Sequence, residues 1–197
     1  MTNQLLYIVG APGAGKSSVA RDLRTWWDME LVRSALVPHV RLRHPVSGRV
    51  VGLELGVPRE AFSGTDALAM DIGPRALAFL RTTPVPFVFG EGSRLATRPF
   101  LHGAAQAGAV VTLVRLAADE ELLTQRWKER GSKQNPSWRK GAGTRAQRLT
   151  EWFSDTMPQE KNFRLLLDID VTEMAVQDAA DRIRDVFPLI DLRESAA

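Results

Sequence analysis

The chain has no cysteine among its 197 residues, which excludes disulfides and thiolate metal sites. Histidine is scarce: His39, His44 and His102 are the three present, and without ligand spacing they build no metal centre. Long hydrophobic runs are missing as well. The apolar run at residues 5–10 is far too short to cross a bilayer, and nothing at the N-terminus has the pattern of a signal peptide. The expectation is a soluble cytoplasmic protein with no membrane partner. No repeat, low-complexity tract or linker breaks the chain, so residues 1–197 read as one domain, long enough to bury a substantial core.

What is present is ordinary globular material: 44% hydrophobic and 25% charged residues. Lysine and arginine outnumber aspartate and glutamate by 26 to 23, giving a net charge of +3 and a pI near 9.7. That balance is compatible with a polyanionic partner and is a weak signal for one.

Buried strands and helices alternate along the chain. Residues 5–9, 85–90, 109–116 and 165–169 are short apolar runs that read as buried strands. Helical spacing appears from Lys16 (Val19, Leu23, Trp26, Trp27), over 71–81, over 95–107 with its regular part after Pro99, over 119–130, over 144–153, and around Val176, Ala179, Ile183 and Val186. Residues 37–55 change period: Val40 and Leu42 alternate with His39, Arg41 and Arg43, and Val51, Leu53 and Leu55 alternate with Gly52 and Glu54. The turn residues 44–48 lie between, which is a β-hairpin signature. The glycine, proline, serine and asparagine of 131–143 read as a lid-like loop. The expected class is α/β: a three-layer fold with a parallel sheet covered on both faces, an inserted β-hairpin and a lid loop. Ligands of such sheets bind beyond the carboxyl ends of the strands. Gly10, Glu91 and the segment after Leu116 all lie there.

The strongest motif is Gly10-Ala11-Pro12-Gly13-Ala14-Gly15-Lys16-Ser17, a full match to G-x-x-x-x-G-K-[ST] between a strand and a helix. Its glycines let the backbone wrap a phosphate without a Cβ in the way. Its N–H groups and the positive end of the following helix then face the anion. Gly10, Pro12, Gly13, Ala14, Gly15, Lys16, Ser17 and Ser18 are the expected nucleotide-binding residues. Lys16 is expected to reach the β- and γ-phosphates of ATP, and Ser17 to ligate Mg²⁺.

Charged residues cluster around this loop. Glu91 ends the second strand; it either holds Mg²⁺ through water or accepts a proton, or is a solvated neighbour of a helix cap. Asp66 is either a helix cap or a general base. Arg59 and Arg94 are candidates for an anionic acceptor or phosphate, or are solvated loop charges. Arg126, Arg130 and Arg139 bracket the lid-like loop. Arg126 and Arg130 share a helical face and are the ones expected to act on the triphosphate. Trp138 stacks on adenine or packs on the loop. Arg41, Arg43, His44 and Arg49 decorate the hairpin as a phosphate-backbone patch or a solvated sheet face, and His39 shares that face.

The P-loop resembles that of nucleoside and nucleotide kinases. Four segments are more narrowly similar to a bacteriophage family, the 5-hydroxymethyluracil DNA kinases: Leu55-Gly56-Val57-Pro58-Arg59, Phe62-Ser63-Gly64-Thr65-Asp66-Ala67-Leu68, Gly90-Glu91-Gly92-Ser93-Arg94-Leu95 and Arg130-Gly131-Ser132-Lys133-Gln134-Asn135-Pro136-Ser137-Trp138. After Trp138 the family pattern Gly-Arg-x-Thr-Lys is replaced by Gly141-Ala142-Gly143-Thr144-Arg145. The resemblance implies ATP-dependent phosphorylation of the base's hydroxymethyl group in DNA, in a phage-infected host. It implies Asp66 as base, Glu91 on the Mg²⁺ side, and Arg59, Ser63, Thr65, Arg94, His39 and Arg41 on the acceptor side. Two other readings stand beside it. One is a kinase of free nucleosides or monophosphates. The other is a P-loop NTPase without acceptor, against which the lack of an Asn-Lys-x-Asp loop argues for the GTPase case.

Overall fold

The computed structural model describes residues 4–58, 63–83, 85–131 and 135–187. Strand β1 (Gln4–Gly10) runs into the P-loop and helix α1 (Lys16–Leu23). Then come β2 (Asp28–Val32), β3 (His39–Arg43), β4 (Val50–Leu55), a 3₁₀ turn (Gly64–Ala67), α2 (Gly73–Thr82) and β5 (Phe87–Glu91). The second half is α3 (Arg98–Gln106), β6 (Val110–Ala117), α4 (Glu120–Glu129), α5 (Pro136–Thr156), β7 (Phe163–Asp170) and α6 (Val176–Val186). The strands form one seven-stranded sheet in the order β2-β3-β4-β5-β1-β6-β7. β4, β5, β1, β6 and β7 are parallel, and β2 and β3 extend the sheet antiparallel.

The inner strands are apolar on both faces because both faces are covered. In β1, Leu5, Tyr7 and Val9 enter a core with α2, α3 and α5, while Leu6 and Ile8 enter a second core with α1 and α6. That three-layer arrangement is the expected α/β class. Among the described residues no helix is long and apolar enough to cross a membrane.

Three local expectations change. The hairpin is not an appendage to the sheet: β4 pairs parallel with β5 through Gly52↔Phe87, Leu53↔Val88 and Glu54↔Phe89, so it is an inner strand. Gly52 is needed there, because a Cβ would come 2.3 Å from the Phe87 ring. The strand β2, unforeseen from the sequence, pairs with β3 at the sheet edge. Its apolar residues Met29 and Leu31 are exposed, so no buried run marks it. Finally, the loop expected over 131–143 is helix from Pro136 onward. Asn135 caps that helix, accepting from the Trp138 N–H at 2.7 Å, and proline occupies its first turn. Gly141 and Gly143 look like loop residues, but tertiary packing of Arg139, Ala142, Ala146, Leu149 and Phe153 keeps them helical. Residues 132–134 of the expected loop lie outside the described residues.

Candidate active site

The phosphate loop is built by backbone freedom at defined points. Gly10, Gly13 and Gly15 take φ of 152°, 97° and 86°. At Gly10 a Cβ would stand 2.4 Å from the Leu116 carbonyl of β6, so the loop can pass close to the neighbouring strand only with glycine. Ala14 is buried beneath the loop, and Ser17 and Ser18 open α1. The Lys16 Nζ donates to the Gly10 and Ala11 carbonyls at 3.1 Å each, so the ammonium is folded over the loop that it serves. Removal from water pushes the Lys16 amine down from its ordinary value; Glu91 and Asp66 oppose that shift and Arg130 adds to it.

Glu91, at the end of β5, is 2% exposed. Its Oε1 accepts from Ser17 Oγ at 2.9 Å, and Ser63 Oγ lies 3.0 Å from that oxygen and 2.8 Å from Ser17 Oγ. Close approach of the 3₁₀ turn makes this cluster. A Cβ at Gly64, φ 54°, would stand 2.5 Å from Glu91 Oε1, and one at Gly56 would stand 1.8 Å from the Gly64 carbonyl. Thr65, expected to face the acceptor, is instead fully buried. Its hydroxyl donates to the Glu91 carbonyl at 2.9 Å and lies 2.8 Å from the Tyr7 hydroxyl, so it braces the site rather than lining it.

Asp66 sits on the same turn and faces the other way. Its Oδ1 accepts from Ser93 N and Ser93 Oγ at 2.8 Å each and from Arg94 N at 3.1 Å. Its Oδ2 has no hydrogen bond among the described residues. Gly92, φ 114°, leaves room for this carboxylate; a Cβ there would come 2.9 Å from it. Asp66 and Ser93 line a cavity of about 140 Å³, with Lys16 and Gly10 also on its wall. Helix α5 closes it with Trp138, Ala142, Arg145 and Ala146.

The arginines divide. Arg126 reaches the P-loop, donating from Nη1 to the Gly13 carbonyl at 3.2 Å. Arg130 is the C-cap of α4, exposed, and close enough for its charge to act on Lys16. Arg139 is taken up elsewhere: it is 7% exposed, donates to Thr124 Oγ1 at 2.8 Å and to Glu120, and lies over the Trp127 ring. The Arg94 backbone N–H serves Asp66, while its Nε is buried without a partner among the described residues. Arg59 lies outside the described residues.

The hairpin residues do not join the site. His39 is buried against Phe79, ring centroids 5.0 Å apart, with Nδ1 2.8 Å from the Val37 carbonyl. Burial pushes the His39 imidazole down, partly offset by that carbonyl. Arg41 pairs with Glu30 at 3.2 Å, and Arg43 donates to the same carboxylate at 2.8 and 2.5 Å. The two arginines, read from the sequence as a phosphate-backbone patch or a solvated sheet face, are tied to one carboxylate from β2, the strand that sequence patterning did not reveal.

One pair went unnoticed in the sequence. Glu54 alternates with leucines and reads as solvent-facing, but β4 is an inner strand and Glu54 is 3% exposed. It pairs with Arg24 at the end of α1. Burial pushes its carboxyl up to about 7, against the pull of the Arg24 guanidinium.

Among the described residues no three His, Cys, Asp or Glu side chains gather. A cation at Ser17 and Glu91 thus has one carboxylate, hydroxyls and phosphate oxygens for ligands, a donor set that fits Mg²⁺. Comparison with solved structures finds a sugar kinase from a Janibacter species at 13% identity, TM-score 0.52, covering 95% of each chain. That likeness shows the shared fold. A shikimate kinase from Acinetobacter baumannii, in complex with shikimate, aligns at 20% identity and TM-score 0.45, over 97% of this chain and 96% of that one. No curated protein matches the chain. The family model described as P-loop Nucleotide Kinase3 matches residues 1–169, over the P-loop and the parallel sheet, and the chain belongs to that family.

Proposed function

We propose that this protein transfers the γ-phosphoryl group of Mg²⁺·ATP to a hydroxyl of a small acceptor held in the Asp66 cavity. The observation that carries this reading is the separation of two carboxylates across the P-loop. Glu91 is on the Ser17 side, where metal and triphosphate belong; Asp66 is on the cavity side, with Oδ2 unengaged among the described residues.

The roles follow from position. The loop amides and the start of α1 bind the phosphates. Lys16 leaves its carbonyl partners for the β- and γ-oxygens, and Arg126 and Arg130 add positive charge where negative charge spreads in the transition state. Ser17 and Glu91 would hold Mg²⁺, directly and through water, and the cation would neutralise the β- and γ-oxygens. Asp66 Oδ2 accepts the proton of the acceptor hydroxyl as that oxygen bonds to the γ-phosphorus; the bond to the β,γ-bridging oxygen breaks and ADP leaves. The three donors on Oδ1 hold the Asp66 carboxylate in place and aimed.

The DNA-base reading has its support in the four sequence segments. The hairpin adds little to it, since Glu30 pairs with both Arg41 and Arg43 and offsets one of their two charges. The test is transfer from γ-labelled ATP, run in parallel on small alcohols, nucleosides, monophosphates, thymine DNA and DNA containing 5-hydroxymethyluracil. Label on a small acceptor that disappears with Asp66→Asn supports the proposal. Label on the modified DNA alone returns the base-kinase reading, and phosphate release with no labelled acceptor overturns both.

A further inference from the structure

We infer that the acceptor is a six-membered-ring hydroxy compound carrying an anionic group, with Trp138 and Arg145 of α5 as the residues that select it; the inference rests on the kinase reading above. Three observations carry it. First, the cavity beside Asp66 measures about 140 Å³. A cavity of about 150 Å³ takes a benzene ring, so this one is ring-sized. Its α5 wall is kept open by Ala142 and Ala146, whose side chains end at Cβ.

Second, Trp138 is 41% exposed although it lines the cavity. An indole left in water at the mouth of a site offers a flat face to a ring. The turn that carries it is anchored: Asn135 caps it and Arg139, the next residue, is locked onto α4 through Thr124 and Glu120. The indole is thus presented on a rigid element, on the wall of the cavity that Asp66 and Ser93 also line.

Third, Arg145 falls on the same face of α5, seven residues on from Trp138, and lines the same cavity. Its guanidinium has no hydrogen bond or ion pair with any described residue. Arg126, by contrast, is engaged with the P-loop and Arg139 with α4. Lys16 is held at the phosphate loop. An exposed guanidinium with no partner among the described residues, on the wall of the cavity that Asp66 lines, is suited to a carboxylate or phosphate carried by the substrate.

The ring and the anion can come from a hydroxy acid or from a nucleotide, and the test separates them. Binding is measured by calorimetry and transfer by labelled ATP, with four probes: 3-(hydroxymethyl)benzoate, its neutral counterpart 1,3-benzenedimethanol, the acyclic anion 4-hydroxybutyrate, and 5-hydroxymethyldeoxyuridine monophosphate. The expected result is at least tenfold tighter binding of a ring anion than of the neutral ring or the acyclic anion. Arg145→Ala removes the preference for the anion and Arg145→Lys restores part of it; Trp138→Ala removes the preference for the ring and Trp138→Phe restores part of it. Equal binding of the charged and neutral rings, a charge preference that survives Arg145→Ala, or no binding of either ring anion overturns the inference. Transfer to neutral alcohols with no charge preference sinks it while the kinase reading stands. Arg145-dependent ring-anion binding without any transfer sinks the kinase reading and leaves the site.

Discussion

Asp66 and Glu91 are two carboxylates in one small site with different surroundings, and their surroundings assign their work. Glu91 is buried and engaged by two serine hydroxyls; Asp66 accepts three hydrogen bonds on Oδ1 and none on Oδ2 among the described residues. Asp66→Asn is expected to lower kcat by about 10²–10⁴-fold, the usual scale of a lost general base, with ATP affinity retained. Glu91→Gln is expected to raise the Mg²⁺ concentration needed for half-maximal rate, read from a metal titration at saturating ATP. Equal metal dependence in that variant would move the cation elsewhere. Lys16→Ala is expected to abolish transfer in a folded protein, checked by circular dichroism beside the assay. Glu54 supplies a pH signature. Its carboxyl is raised in the folded chain to about 7 from an ordinary 4.5, so the folded state binds the extra proton between those values. Stability from this group is complete below pH 4.5 and is lost as pH rises through 7. Urea unfolding at pH 5 and pH 8 should show a loss in the wild type that Glu54→Gln flattens.

At the scale of elements, the site depends on where short segments begin and how close they pass. Asn135 starts α5, and α5 carries the wall of the acceptor cavity. Asn135→Ala is expected to cost about 1 kcal/mol of stability, the usual worth of an N-cap, and to raise the acceptor KM more than the ATP KM. The 3₁₀ turn is pressed against two strands through Gly56 and Gly64. Gly56→Ala would set a Cβ 1.8 Å from the Gly64 carbonyl, in a backbone conformation of φ 91° that disfavours side chains. The turn must then move, and with it both Ser63 and Asp66. Activity is expected to fall further than stability does, which paired melting and rate measurements would read.

Across the whole molecule, the antiparallel strands β2 and β3 widen the sheet without joining the active site. Arg41→Ala with Arg43→Ala is therefore expected to leave phosphoryl transfer unchanged and to have no effect on DNA retention at low salt. A loss of salt-dependent retention in that variant would make the hairpin a nucleic-acid surface after all. The P-loop was legible in the sequence because its function is local: eight consecutive residues, with glycine where the backbone must turn inward and lysine and serine at its end. Strands β1, β5 and β6 were legible because a strand buried on both faces reads as a near-continuous apolar run, whereas β4, with Gly52 and Glu54 between its apolar residues, read as half of a hairpin. Helix α5 before Thr144 and strand β2 were not. Gly141 and Gly143 carry a loop's composition, and an edge strand has no continuous buried run. The candidate residues around the P-loop were nameable, but not their directions. Sequence alone determined the P-loop motif at Gly10–Ser17 and the parallel sheet that carries it. Only the tertiary structure decided that Glu91 turns to Ser17 and Asp66 to the cavity, that Arg41 and Arg43 share Glu30, and that Arg145 has no partner among the described residues. Those outcomes depend on strand register and helix packing between residues far apart in the chain, which no local pattern encodes.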